Sequence, residues 1–572
     1  MWRRRQPAAP GPQDRAALEG DILELLCRHN PVQASTLGHE DRDMDLPCTD
    51  AGARAEFCWK ATEYLSRLEK MPLAENASAV ERAERRTLES LLRVPLVMEQ
   101  EDSPFTRNPV LYLEILFEGT YILLHRADAS DTRAQWVEAL LSRLSQAPRL
   151  LGEARQNLQP HTARIPSLWV ETALRLESAS QTFLQQIVQD VRRRVPERVQ
   201  DVEREVSTTR KHLSEYADFL RRQILPKARG SYSLGADLFH FQLQNWHDLS
   251  YRDIDLLEWG THELHESRKT LDKMAKRIPG NRTWRQILED LKEDHPDAAG
   301  LIPAYQKDVD RARRFVEDRS LATIPGDEIL EVTETPEFER SVAPFAAYLP
   351  PPPFGTQRRG SLWVTPPGIH LAEKDRHMVL RDHCHARIPI TALHETYPGH
   401  HLQFSRLREL DSRVRRHFAT SVFVEGWALY CEEMMIEQGF LNDPLSQLCQ
   451  VRDHLWRACR IILDVRLQTQ SFDVDEAARM LVEEACLQPP NARAEVVRYT
   501  QTPTQPLSYL VGKREIQALR REVERIRGDQ FNLKQFHDEI LSHGAIPVSL
   551  LREIVLAPQP SQAQLESSPQ LA

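Results

Sequence analysis

The segment from His394 to His401 brings metal ligands and a potential general base into one short stretch of the chain. It reads His-Glu-Thr-Tyr-Pro-Gly-His-His, a lengthened form of the His-Glu-x-x-His zinc motif. In the standard motif, two histidines one helical turn apart bind zinc, and the glutamate accepts a proton from water. By this pattern His394 is a metal ligand and Glu395 is the general base.

Pro398 stands where the second histidine of the standard motif would be. A proline cannot donate a hydrogen bond to the carbonyl of His394, so we expect a bulge or a break in the helix here. On an uninterrupted helix, His400 would lie about 240° around the axis from His394, and His401 about 10.5 Å along it. A two-residue bulge would return His400 to the ligand position, with Gly399 permitting the close approach. We therefore predict His400 as the second ligand and keep His401 as the alternative.

A third ligand is predicted in the segment Phe423–Glu433, which is helix-prone and mostly apolar. Glu425 lies there, 25 residues after His400. Two histidines and a glutamate leave one zinc position open for water, which is typical of a catalytic site. The alternative is that Glu425 caps a helix or pairs with a cation, and that the histidines are solvated.

Both motifs resemble those of the bacterial domain-of-unknown-function family 885, which is grouped with the gluzincin metallopeptidases. The shared patterns are HExxPGHH and EGWALYxE. The segments Arg498–Lys513 and Phe536–Pro547 also resemble the family, so the similarity covers most of the chain and is most specific over residues 350–555. Two positions depart from the family pattern: Thr504 replaces its usual glycine, and Gln468 stands where we expect histidine.

The resemblance implies a zinc-dependent metallopeptidase that hydrolyses short peptides. It favours Tyr509 as a hydroxyl donor to the oxyanion formed during hydrolysis, although a tyrosine is more often a packing residue. A substrate carboxylate could be bound by Arg498, Tyr499 and Lys513, with arginine able to hold it through two hydrogen bonds. Each of these three could equally be a surface residue paired within the protein. His537 is expected to be a capping or surface residue.

Two other functions fit the same motifs. The first is a metal-dependent amidohydrolase that acts on a nonpeptide amide with the same ligands. The second is a catalytically silent helical scaffold that binds a peptide or a partner. The presence of Glu395 argues against the scaffold, because loss of this base would be its simplest marker.

Composition excludes several classes of protein. The net charge of −10 over 572 residues gives no electrostatic reason to expect nucleic-acid binding. No apolar run approaches the roughly 18 residues of a membrane span, and the charged amino terminus lacks the apolar stretch of a signal peptide. The eight cysteines are scattered without a CxxC pair, so neither a disulfide framework nor a cysteine zinc site is expected. This usage is compatible with the reducing cytoplasm, where we expect the protein.

Hydrophobic periodicity predicts a mainly α-helical fold with a small sheet beside the active-site cleft. Apolar residues recur at three- and four-residue spacing in eight segments. Short strands are predicted at 329–334 and 361–365, just before the metal motif, and the edge of such a sheet can accept an extended peptide. A hairpin that only covers the core is the alternative, and the family resemblance favours peptide binding. The chain is divided into a disordered tail (1–14), a helical lobe (15–325), a catalytic region (326–557) and a second disordered tail (558–572). The eight helical segments are 15–28, 53–70, 79–99, 131–158, 167–191, 198–223, 252–277 and 299–318.

Overall fold

The computed structural model describes residues 12–126, 135–336, 340, 345–368 and 371–557. It is 73% helix and 3% strand, which confirms the mainly α class and the small sheet. Of the two predicted tails, only residues 12–14 are described, and these begin the first helix.

Thirteen described helices precede the sheet. In chain order they are α1 (Pro12–His29), α2 (Pro31–Leu37), α3 (Ala51–Glu69), α4 (Ala79–Asp102), α5 (Pro104–Arg107), α6 (Pro109–Arg126), α7 (Gln135–Leu158), α8 (Ser167–Arg194), α9 (Val199–Phe219), α10 (Ala236–Trp246), α11 (Asp253–Arg277), α12 (Trp284–Leu291) and α13 (Leu301–Asp318).

Eleven described helices follow the sheet and include every predicted site residue. They are α14 (Glu373–Leu380), α15 (Ile388–Glu395), α16 (His400–Leu407), α17 (Arg413–His417), α18 (Ser421–Glu437), α19 (Pro444–Gln470), α20 (Val474–Ala485), α21 (Pro489–Gln501), α22 (Gln505–Arg527), α23 (Leu533–Leu541) and α24 (Val548–Val555).

All eight predicted helical segments coincide with helices to within a few residues at their ends, and residues 131–134 of the fourth segment lie outside the described residues. Local sequence explains several boundaries. At the start of α4, the Ser78 hydroxyl accepts from the amide of Glu81 at 3.2 Å, and the Glu81 carboxylate accepts from the amide of Ser78 at 2.8 Å. This reciprocal pair satisfies two amides that a helix start otherwise leaves without partners.

The sheet has three strands, β1 (Ile329–Glu334), β2 (Ala346–Leu349) and β3 (Arg359–Val364), with β3 in the centre. The β1 strand pairs with β3 in parallel, and β2 pairs with β3 antiparallel. The sequence predicts β1 and β3 but misses β2, a four-residue strand. Both edges of the sheet therefore belong to β1 and β2.

The largest hydrophobic core crosses the predicted division at residue 325. It joins residues of α10–α13 to the sheet and to the helices of the metal motif. A second core lies within residues 32–228, and a third, smaller one packs α1, α3 and α4 together. The helices just before the sheet therefore pack against elements of residues 326–557 and hold them in place. None of the described helices has the length and apolar character needed to cross a membrane.

Candidate metal centre

The metal motif spans the junction of two helices. The helix α15 ends at Glu395, and α16 begins at His400. Two backbone hydrogen bonds here close wider turns than those of an α-helix. The amide of Gly399 donates to the Leu393 carbonyl at 3.1 Å, and the amide of Leu402 donates to the Thr396 carbonyl at 3.2 Å. The interruption expected at the proline is therefore present, but as a four-residue break between two helices instead of a two-residue bulge within one.

Gly399 allows the chain to turn back tightly against α15. A Cβ atom at this position would overlap the carbonyl oxygen of His394. The break is also tied to α18, because the indole of Trp427 donates to the Pro398 carbonyl at 2.9 Å. These two contacts fix the start of α16, and with it His400, relative to the helix that carries Glu425.

The structure brings His394, His400 and Glu425 together. One potential ligand atom from each lies within 4.8 Å of the others. The two imidazole rings are nearly perpendicular, with centroids 5.0 Å apart, and His400 Nε2 lies 3.5 Å from Glu425 Oε2. Around a tetrahedral zinc ion, ligand atoms are roughly 3.5 Å apart, which is the separation of His400 and Glu425, and two histidines with a glutamate are a donor set that zinc takes.

His394 is oriented by a residue that the sequence analysis did not assign. Its Nδ1 lies 2.8 Å from Oε1 of Glu432, a carboxylate that is 1% exposed. Gln450 on α19 donates to the other Glu432 oxygen at 3.3 Å. Histidines that bind metals usually donate their second ring nitrogen to such a carboxylate, which leaves Nε2 for the metal. Spacing along the sequence could have indicated this role, since Glu432 follows Glu425 by two helical turns and lies on the same face of α18.

His401 faces away from this cluster. It is fully buried, with Nδ1 at 2.9 Å from the Tyr348 hydroxyl of β2 and Nε2 hydrogen-bonded to Glu328. Tyr397 also donates to Glu328, at 2.8 Å. Both ring nitrogens of His401 are thus used within the protein, and His400 is the histidine that reaches His394 and Glu425.

Charges within the cluster favour a bound cation. Burial alone would raise the pKa of Glu425, but the hydrogen bond and charge of His400, with a contribution from His394, lower this pKa to about 2. Burial alone would lower the pKa of His400, whereas Glu425 and Glu395 raise it, and the net shift is upward. The site therefore attracts positive charge, and a metal ion would compete there with the His400 proton.

Two further predicted site residues lie near the potential ligands: Glu395 directly follows His394 in the chain, and Tyr509 is close enough to Glu425 to feel its charge. Glu395 is half-buried, and its carboxylate makes no hydrogen bond to another described residue. Burial, and next the charge of Glu425, raise the pKa of Tyr509, so its hydroxyl stays protonated at neutral pH. Arg460, buried on α19, stacks its guanidinium 4.4 Å from the Tyr509 ring centroid. The sequence analysis missed this arginine, because its only local context is the apolar run of α19.

The predicted substrate-binding residues are engaged within the protein to different degrees. Tyr499 is fully buried, and its hydroxyl accepts from Arg460 at 2.8 Å. Lys513 is also buried and pairs with Glu433. Arg498 is the most exposed of the three, with 38% of its side chain accessible. Direct contact with a substrate would require Tyr499 and Lys513 to break these pairs, whereas Arg498 has accessible surface.

The helices α18 and α22 meet through two glycines. A Cβ atom on Gly426 would come within 2.5 Å of the Gly512 backbone, and one on Gly512 would overlap the Val422 carbonyl oxygen. This contact sets Glu425 on one helix and Tyr509 on the other at a fixed separation, because neither backbone can move closer or rotate without a clash.

Both departures from the family pattern have structural roles. Thr504 has φ of +67°, a conformation in which glycine is favoured and a β-branched residue is unusual. Its hydroxyl lies 2.9 Å from Nε2 of the buried His247, which partly offsets the cost of this conformation. Gln468 is buried and donates to the Tyr499 carbonyl at 2.9 Å while accepting from the Leu234 amide at 3.1 Å.

The expectation that His537 is a capping or surface residue is wrong. This residue is fully buried, with Nδ1 2.7 Å from the Leu321 carbonyl and Nε2 2.8 Å from the Tyr430 hydroxyl. Burial lowers its pKa to about 4. The apolar neighbours on α23 form one face of the helix, and His537 lies on that face and bridges α23 to α18.

Two solved structures share this fold. A candidate lipoprotein of unknown function from Shewanella oneidensis superimposes with a TM-score of 0.78 at 21% identity, over 95% of this chain and 99% of that one. A candidate lipoprotein from Colwellia psychrerythraea gives a TM-score of 0.82 at 18% identity, over 95% and 98%. At these identities the similarity establishes the fold alone.

At the level of sequence, no curated protein is significantly similar to the chain. Residues 31–555 match a family described as bacterial proteins of unknown function, DUF885. The match includes both metal motifs and extends over nearly all described residues. The chain therefore belongs to the DUF885 family.

Proposed function

We propose that this protein is a gluzincin-like zinc metallopeptidase that hydrolyses short peptides. The observation that carries the proposal is the convergence of His394, His400 and Glu425 to within 4.8 Å, with Glu395 next to the first ligand. Two histidines and one glutamate are the donor set of zinc sites that cleave amide bonds, and they leave a coordination position open.

The chain's own residues supply the remaining chemistry. A zinc ion held by the three ligands would polarise a scissile carbonyl and acidify a water molecule. Glu395 would accept the proton from that water and pass it to the leaving amine, for which its half-buried carboxylate is available. Glu432 would keep the ring of His394 in place. Tyr509 would donate its hydroxyl to the oxyanion.

The first experiment combines metal analysis with digestion of a peptide mixture. Purified protein is assayed for zinc and incubated with the mixture, and products are identified by mass spectrometry. Changing His394 or Glu425 to alanine should lower the zinc content by one ion per chain and abolish cleavage. Full zinc content in both variants would refute the assigned ligands.

The second experiment separates binding from catalysis. Glu395→Gln keeps the side-chain shape and removes the base, so zinc should remain while hydrolysis falls by on the order of 10²-fold or more. Glu409→Gln, which changes an exposed acid two residues after the end of α16, is the matched control and should keep the wild-type rate. Unchanged cleavage in Glu395→Gln would place the proton acceptor elsewhere. Hydrolysis of nonpeptide amides without peptide cleavage would identify the amidohydrolase instead.

A further inference from the structure

A second group of potential metal ligands lies outside the site described above. Cys27 near the end of α1, His39 just after α2, and His417 at the end of α17 each offer a ligand atom, and these atoms lie within 4.8 Å of one another. Cys27 and His417 are 5% and 8% exposed, and His39 is half-buried. Spacing along the chain does not reveal this group, because its members are far apart in the sequence.

Two ring nitrogens in this group have no hydrogen-bond partner among the described residues. They are His39 Nε2 and His417 Nδ1, and both atoms are buried. Buried polar atoms in folded proteins are nearly always paired, and leaving one without a partner costs about 1–3 kcal/mol. The neighbouring rings supply aromatic contacts only: His39 lies 4.5 Å from the Phe354 ring and 6.5 Å from that of His417. A bound cation would satisfy both nitrogens.

We propose that Cys27, His39 and His417 bind a second, zinc-type metal ion. One thiolate and two imidazoles form a borderline-soft donor set, which suits zinc and cobalt and disfavours calcium and magnesium. Binding would release the Cys27 thiol proton to solvent, since the thiolate is the ligand. A cavity of about 480 Å³ reaches one of the three residues, His417, and gives an ion access to that side of the group.

The position of this group in the fold indicates a structural role. His417 lies between His400 and Glu425 in the chain, on the connection from α16 to α18. Of the other two ligands, Cys27 lies in α1 and His39 directly follows α2. An ion at this point would fasten the amino-terminal helices to the connection that links two ligands of the candidate catalytic site.

Cobalt provides a signal specific to this second site. Of the two candidate sites, only the second has a thiolate ligand, Cys27. A thiolate-to-cobalt charge-transfer band in the near ultraviolet can therefore come only from that site. Full-length protein is stripped with a chelator and reloaded with Co²⁺ or Zn²⁺, and metal content and absorption are measured. We expect two ions per chain in the wild type, with the band present.

Variants assign the band and the ion. Cys27→Ala and His417→Gln should each lose the band and one ion, while Cys58→Ala, a half-buried cysteine on α3, should keep both. His394→Ala should lose one ion and keep the band, so failure of the proposed catalytic site and failure of this second site give different results. Absence of the band in the wild-type protein overturns the proposal even if a variant does not fold. Retention of the band in folded Cys27→Ala overturns it as well.

Discussion

The contact between His394 and Glu432 gives the sharpest quantitative test of how the candidate metal centre is built. The 2.8 Å hydrogen bond is fully buried and has a charged acceptor. Such bonds contribute about 1.5–3 kcal/mol, and neutral ones about 0.5–1.5 kcal/mol. Glu432→Gln replaces the charged acceptor by a neutral one and should weaken zinc binding by about 10-fold. Glu432→Ala removes the acceptor and should weaken it by about 10- to 100-fold, because 1.4 kcal/mol corresponds to a factor of ten.

The assay is competition for zinc against a chromophoric chelator, which gives the Kd of each variant. Glu437→Gln is the control, since Glu437 lies on the same helix with 42% of its side chain exposed and pairs with Arg520 at 2.8 Å. It should leave the Kd unchanged. With zinc in excess, Glu432→Gln should recover most of its activity, because its role is to position a ligand. Kd values within twofold of the wild type for both Glu432 variants would refute this reasoning.

Three further predictions concern the other groups of the site and its surroundings. His400→Ala should lose zinc far more than His401→Ala in metal analysis, because only His400 reaches the other ligands; the reverse ranking would transfer the ligand role. Tyr509→Phe should lower kcat by roughly 10²-fold with little change in KM if its hydroxyl stabilises the transition state, and a raised KM at unchanged kcat would contradict this. Denaturant unfolding should show that the wild type loses stability as pH falls from 6.5 to 4. Over that window His537 takes up a proton in the unfolded chain but stays neutral in the folded protein, where it is buried. The lowered pKa of His537 accounts for a loss of roughly 3 kcal/mol in the free energy of unfolding across that window. The stability of His537→Gln should therefore depend less steeply on pH. A slope identical to that of the wild type would exclude His537 as a source of the pH dependence.

Much of the fold can be predicted from local sequence, because the apolar residues of a helix recur at three- and four-residue spacing. Every predicted helical segment coincides with a helix over its described residues, and the strands β1 and β3 are present. The strand β2 has four residues and no alternating pattern, and it forms because β3 provides a partner along its free edge. Propensity could not have shown this.

The candidate site divides in the same way. His394, His400 and Glu425 could be predicted from the sequence because two short motifs carry them, and the structure brings them together. The role of each as a ligand stays a prediction. The contact of Arg460 with Tyr509 depends on packing between distant elements, and so does the group formed by Cys27, His39 and His417. No spacing along the chain encodes these contacts.

The glycine contact between α18 and α22 limits how this protein can change. Because Gly426 and Gly512 leave no room for even one methyl group, random mutagenesis should rarely recover variants at either position. Substitutions at this contact therefore cannot be used to change the distance between Glu425 and Tyr509. Directed evolution toward a new substrate would have to proceed through side chains that border the site, such as Arg498, while the two helix backbones stay as they are.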